Sequence, residues 1–182
     1  STDPAEETDS ILSALSRVEC TAVLTYPNSD YQSGTIIDRL QEFVSCTPKA
    51  RLFSSLGQVK YASLAAQADL MLGNSSSGIW EAPSFCLPAV NVGGRQHGRF
   101  RAANVIDVVS DTDAIYQAIQ KGLDPSFRDS LKGMKNPYGD GRAAPRIVNT
   151  LKNSPLGHRL LQKRFVDLPA TIPAVGSKEG SL

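Results

Sequence analysis

The chain has 182 residues, and 19 Lys and Arg against 18 Asp and Glu leave a formal charge of +1, so it lacks the basic stripe that neutralises nucleic-acid phosphates. Its 41% apolar content excludes wholesale disorder and suits one generous domain. No run approaches the roughly 18 apolar residues of a membrane span, and the acidic opening Ser1 to Asp9 is unlike a signal peptide, which together predict a cytoplasmic protein with neither nucleic-acid nor membrane partner.

Ile11, Leu12, Leu15 and Val18 recur at helical spacing and end at a strand-like run, Thr21 to Thr25, which Pro27-Asn28-Ser29-Asp30 terminates. Ile36, Ile37, Leu40 and Phe43 predict a second helix, and a short strand follows around Arg51 to Phe53. The Ser54-Ser55-Leu56-Gly57 turn leads into a helix carrying Tyr61, Leu64 and Ala65. Leu70 to Leu72 reads as a third strand, separated by Gly73-Asn74-Ser75-Ser76-Ser77-Gly78 from a helix starting near Ile79. Pro88 to Val92 and Asn104 to Val109 are the fourth and fifth strands. After Asp111 the pattern is helical only, marked by Ile115, Ala118 and Ile119, then Phe127 and Leu131, then Ala144 to Leu151 beyond the turn Asn136-Pro-Tyr-Gly-Asp-Gly141. A last helix is expected near Leu156 to Val166. Residues 1–168 thus read as one domain, and Pro169, Pro173, Gly176 and Gly180 predict a mobile tail over 169–182.

Strands of about five residues alternating with helices of ten or more need crossover connections, which require a parallel sheet covered by helices on both faces. The predicted fold is therefore a Rossmann-like α/β domain. Ligands meet such a sheet where its strands end, which makes the loops after Thr25, Phe53, Leu72 and Val92 the functional candidates.

The strongest local signal is the serine loop, Gly73 to Gly78. Hydroxyls and closely approaching backbone at a helix start suit a phosphate, although the same serines serve equally as plain helix caps. The loop lacks the Lys of a P-loop and the spacing of a dinucleotide fingerprint. Glu81, about one turn further on, reads either as a partner for vicinal ribose hydroxyls or as a surface carboxylate favoured by the helix dipole. Arg95, in Gly93-Gly94-Arg95-Gln96, follows the next strand, where it either reaches the same anion bidentately or belongs to a flexible glycine loop.

Cys20, Cys46 and Cys86 are odd in number and widely spaced, so they are expected to be reduced, with Cys86 a small buried side chain between apolar neighbours. His97 and His158 are the only histidines. They give a metal site or a triad little to draw on, and neither a metal nor a cofactor is expected.

Thr25-Tyr-Pro-Asn-Ser-Asp30, Gly73-Asn-Ser-Ser-Ser-Gly-Ile-Trp-Glu-Ala-Pro-Ser84, Val90-Asn-Val-Gly-Gly-Arg-Gln-His-Gly-Arg99 and Asn136-Pro-Tyr-Gly-Asp-Gly141 together resemble the hydrolysing UDP-N-acetylglucosamine 2-epimerases of sialic acid biosynthesis. The resemblance covers about residues 10 to 166 and only the carboxyl-terminal half of that family's chain. It implies the second domain of a GT-B architecture, in which two Rossmann-like domains enclose the active site. By the same resemblance Ser75 and Ser76 match diphosphate-binding serines, Glu81 the ribose-binding glutamate, Arg95 a nucleotide-binding arginine and Asn28 an asparagine lining the cleft. Ser55 matches a further UDP contact in a more variable loop. Gly94 stands where relatives often carry a polar residue, and Cys86 where they often carry glycine.

The family reaction eliminates UDP across C1 and C2 to a 2-acetamidoglucal, then hydrates it with inversion at C2 to give N-acetylmannosamine. Its acid/base groups are expected in the first domain and in a His-Pro motif ahead of Ser1, so the resemblance implies no catalytic residue in this chain and no activity of the chain alone. UDP or a UDP-sugar and the first domain are the implied partners. The nucleotide-binding domain of a GT-B glycosyltransferase and a noncatalytic nucleotide-binding module are the alternatives. An apolar surface from Leu160, Leu161, Phe165 and Val166 either packs on its own sheet or supports self-association.

Overall fold

A computed structural model of the protein describes residues 3–29 and 32–162, and the chain divides into two compact units, residues 1–140 and 141–182. The first unit opens with α1 (Pro4–Leu15), whose start is fixed by Asp3 accepting a hydrogen bond from the Ala5 amide and by Pro4 in the first turn. Strand β1 (Ala22–Thr25), α2 (Ser33–Cys46), β2 (Ala50–Phe53), α3 (Gly57–Ala65) and β3 (Met71–Gly73) follow. Next come α4 (Ser77–Trp80), a 3-10 turn (Ala82–Phe85), β4 (Ala89–Val92), β5 (Val105–Val108), α5 (Thr112–Leu123) and α6 (Pro125–Ser130). Asp111 caps α5 by accepting from the Ala114 amide, and Asp124 caps α6 by accepting from the Ser126 and Phe127 amides.

All strand pairs are parallel, as the alternating pattern predicts, but they form two sheets rather than one. β1 pairs with β2, and β3 pairs with β4, which pairs with β5. The difference follows from burial. β4 is buried at every residue, whereas Val23 of β1 and Phe53 of β2 are exposed. The first pair therefore has an uncovered face and little to hold a continuous ladder to the short β3.

Alternation along β4 divides the core. Val90 and Val92 face one way, joining Ala14 and Ile11 of α1 and Ile115, Ala118 and Ile119 of α5. Ala89 faces the other way with Met71, against Ala65 of α3 and against Ala82, Phe85 and Leu87. Helical segments thus cover both faces of this sheet, as a parallel arrangement requires.

Three expectations need correction. The helix expected after the serine loop is one four-residue α-turn followed by a 3-10 turn, because Pro83 has no amide to continue the α-helix. Cys86 is half-exposed rather than buried, and it ends the 3-10 turn at φ +51°, a left-handed conformation in which glycine carries no steric cost. Helix α1 carries Ile11, Leu12 and Leu15 but ends at Leu15, so Val18 lies beyond it, and its start at Pro4 places Glu6 and Glu7 in its first turn.

In the second unit, α7 (Ala143–Asn153) carries Ile147, Val148 and Leu151 exposed on one face, and α8 (His158–Leu161) is a single turn. Leu161 is exposed. The Leu160 side chain, Phe165, Val166 and the tail expected over 169–182 lie outside the described residues. No helix among the described residues is long and apolar enough to cross a membrane.

Ile115 is fully buried where α5 meets β4. Ile115→Ala should lower unfolding free energy by about 2–5 kcal/mol, a cavity-forming loss measurable by urea titration.

Candidate functional site

The serine loop leaves β3 at Gly73, whose φ of +138° turns the chain as few side-chain-bearing residues could. Asn74 is then gripped from two sides. Its side-chain amide donates to Glu7 Oε1 of α1 at 2.5 Å, and its carbonyl accepts from Gln96 Nε2 at 2.7 Å. Ser75 Oγ accepts from the Ser77 amide at 3.3 Å, while the Ser76 carbonyl accepts from the Ile79 and Trp80 amides at 3.0 and 2.9 Å. Ser75 Oγ thus takes the first amide of the short α4 and Ser75 remains exposed, whereas Ser76, the N-cap residue, makes no side-chain capping bond. Four residues make a small macrodipole, so any anion cradle here rests on loop amides, hydroxyls and a nearby cation more than on a helix.

Packing fixes this turn from beneath. Gly78 is buried, and a Cβ there would lie 3.3 Å from Ala89 Cβ of β4. Asn104, fully buried, donates to the Gly78 and Leu87 carbonyls at 3.3 and 2.8 Å. From the outside, Asn136 donates to the Trp80 carbonyl and to Ser84 Oγ, both at 2.7 Å. The Tyr138 ring lies 5.9 Å from that of Trp80, and Arg99 sits 4.7 Å over the Trp80 ring. The Asn136-Pro-Tyr motif is thus a buttress for the serine turn.

The arginine loop leaves β4 through Gly93, at φ +70°. A Cβ on Gly93 would overlap Glu7 Oε2, so the glycine makes room for a carboxylate arriving from α1. Arg95 is exposed, and its charge favours the ionised form of Glu7, as does the Asn74 hydrogen bond; burial outweighs both and holds the Glu7 carboxyl above the usual range. Gln96 is buried and clasps the two loops together through Asn74. Its Oε1 is buried without a hydrogen-bond partner.

Glu81, expected about one turn into the helix, instead closes α4, and it is exposed. Tyr61 of α3 brings a buried hydroxyl toward Ser77 and Glu81, and burial raises its pKa, with the Ser77 contact opposing and the Glu81 charge adding. Ser75 and Ser76 thus follow β3 and Arg95 follows β4, at the carboxyl ends of two paired strands, while Glu81 follows α4. Asn28 and Ser55 follow β1 and β2, the separate pair; both are exposed, and Ser55 Oγ accepts from the Gly57 amide at 3.2 Å to start α3. The hydrogen bonds that hold the serine loop run to Glu7, Gln96 and Asn104 instead.

Glu7, Tyr61 and Gln96 escape a reading of the sequence. Asp3-Pro4 is a helix-start signal that would have placed Glu7 in a first turn. Nothing in spacing, however, points from that turn to Asn74, 67 residues away.

Because the folded chain holds a proton on Glu7 to higher pH than the unfolded chain does, the stability from that proton is complete below the unfolded carboxylate pKa and is lost as pH rises through the folded value. Glu7→Gln should flatten that part of the stability curve, as read by urea titration at steps from about pH 4 to 7. An unchanged slope would contradict the placement of Glu7.

Residues 1–152 match the family model described as UDP-N-acetylglucosamine 2-epimerase. The chain is 38% identical over 154 residues to the UDP-N,N'-diacetylbacillosamine 2-epimerase (hydrolyzing) of Legionella pneumophila, covering 85% of this chain and 40% of that protein. It is 39% identical over 148 residues to the GDP/UDP-N,N'-diacetylbacillosamine 2-epimerase (hydrolyzing) of Campylobacter jejuni, covering 80% and 38%. In fold it is similar to S. aureus MnaA, solved in complex with UDP, with a TM-score of 0.67 and 24% identity over 82% of this chain and 41% of that one. The chain spans about two-fifths of the length of these relatives. With the family model matched over most of its length, the chain belongs to the UDP-N-acetylglucosamine 2-epimerase family.

Proposed function

We propose that this chain is the UDP-binding part of a cytoplasmic hydrolysing 2-epimerase that acts on an N-acetylated UDP-sugar, opposite a companion domain carrying the acid/base groups. The observation that carries the reading is the clasp between the loops after β3 and β4, which keeps Ser75, Ser76 and Arg95 at one sheet edge. A diphosphate there would meet the serine-loop hydroxyls and amides, with the Arg95 guanidinium able to take two oxygens at once. Glu81, exposed beside the same turn, is the acceptor for ribose hydroxyls. Asn28 and Ser55, after β1 and β2, would extend the surface along the cleft toward the rest of the nucleotide-sugar.

In the reaction, a base removes the proton from C2 while the C1–oxygen bond breaks and UDP leaves; water then adds to the glycal. Donors aimed at the departing diphosphate stabilise charge as it develops, a contribution that needs no proton transfer. His97 is exposed, its amide donating to the Gly94 carbonyl, His158 is in the second unit, and neither is assigned an acid/base role. The chain alone is therefore expected to bind UDP without turning over the sugar nucleotide.

As these 182 residues span about two-fifths of the length of their relatives, their UDP affinity should be weak, on the order of 0.1–1 mM. Glu81→Gln should weaken UDP by roughly 10- to 100-fold while leaving pyrophosphate nearly unchanged, because charge-assisted hydrogen bonds of this kind are worth about 1.5–3 kcal/mol. Arg95→Ala should reduce pyrophosphate at least as much as UDP. Calorimetric titration of both ligands checks the pair, and equal losses in Glu81→Gln would contradict the ribose role. Incubation with UDP-N-acetylglucosamine should give no N-acetylmannosamine above a buffer blank.

A further inference from the structure

The buried polar side chains among the described residues, Asn91, Gln96 and Asn104, are all carboxamides, and each leaves its oxygen buried without a hydrogen-bond partner. Asn91, on β4, differs from the other two in what flanks it. In register it stands between Asp107 of β5 and Gly73 of β3. Paired residues of parallel strands project to the same face, so Asn91 meets a side chain on one flank and none on the other. Asp107 fills the first flank: its Oδ1 accepts from Asn91 Nδ2 at 2.6 Å, and its Oδ2 accepts from Arg101 Nε at 2.5 Å. A carboxylate in an ion pair only accepts, which fixes the carboxamide with its nitrogen toward β5 and turns Oδ1 away from that strand. On the other flank, between the ends of β3 and β4, lies a cavity of about 10 Å³ whose walls include Gly73, Ser75, Gly78, Ala89 and Asn91. Ala89 and Asn91 share one face of β4 by alternation, and Gly78 of the serine turn lies against that face, over Ala89.

The volume is close to what one water needs, and an internal water needs two to four polar neighbours. We propose that this cavity is the site of one internal water, which donates to Asn91 Oδ1 and bridges it to the serine turn. Ser75 Oγ accepts from the Ser77 amide and still carries its own proton, while Gly73 and Gly78 bring backbone groups to the same walls. The water satisfies an acceptor that a dry interior would otherwise leave at a cost. Asn91 is then a positioning residue. Its bond to Asp107 holds one side of the carboxamide, and the water carries the other side to the turn that presents Ser75. This role belongs to the framework of the chain and holds whichever ligand the turn receives.

Water-to-amide nuclear Overhauser spectra of the nitrogen-15-labelled chain, recorded in the laboratory and rotating frames, test the site. A held water should give cross peaks of opposite sign in the two experiments at one or more of the Gly73, Ser75 and Gly78 amides. Asn91→Leu removes the acceptor, and should abolish that cross peak and shift the Ser75 to Gly78 amides. Asp107→Ala removes only the partner of Nδ2 and should keep the cross peak. Serine hydroxyl protons exchange with water and give similar signals, but the serines remain in Asn91→Leu. A cross peak that survives Asn91→Leu would therefore overturn the proposal, and loss in both variants would assign the effect to the Asp107 bond and overturn the role of Oδ1. Where Asn91→Leu does not fold, a crystal structure of the unsubstituted chain with ordered solvent decides. A water within hydrogen-bond distance of both Asn91 Oδ1 and a serine-loop atom supports the site. A protein donor at Oδ1, or no ordered water there, overturns it.

Discussion

Complete burial of β4 is the constraint on which the site depends. β4 is enclosed on both faces and pairs in parallel with β3 on one edge and β5 on the other, so the chain leaves β3 and β4 on the same side. The serine loop and the arginine loop are brought together by that topology before any side chain contributes. The short turn of α4 is then pressed onto β4 through Gly78, where a larger residue would crowd Ala89.

Polar contacts convert proximity into geometry. Gln96 reaches from the arginine loop to the Asn74 carbonyl, Glu7 reaches from α1 to the Asn74 amide, and Asn104 holds the Gly78 carbonyl from below. Each of these donors or acceptors lies in a partly dry environment, where a satisfied hydrogen bond positions a loop and an unsatisfied one is costly. The exposed groups, Ser75, Glu81 and Arg95, are left facing outward on a framework fixed behind them. Rigid support behind exposed groups is the arrangement that effective binding sites require.

Much of the fold was legible because the strands are short apolar runs bounded by turn residues. Each expected strand lies within about two residues of the observed one, and the loops they end in hold the candidate residues. The single sheet was not legible, since period-two patterning describes faces and says nothing about which edges meet; the exposed Val23 and Phe53 mark where covering stops. The helix expected from near Ile79 is cut short by Pro83, a breaker visible in the sequence. Ser75, Ser76 and Arg95 could be proposed because loop position and residue type suffice. Glu7 and Gln96 could not, because their roles lie in contacts of 67 and 22 residues' separation that no local pattern encodes.

Nuclear magnetic resonance of the labelled chain, titrated with UDP, tests the central claim most directly. If the clasped loops are the nucleotide site, the largest backbone amide shifts fall on Ser75 to Gly78 and Gly93 to Gln96, with the sheet shifting little. Shifts concentrated away from the β3 and β4 loops, or a spectrum unchanged at millimolar UDP in a folded sample, would contradict it.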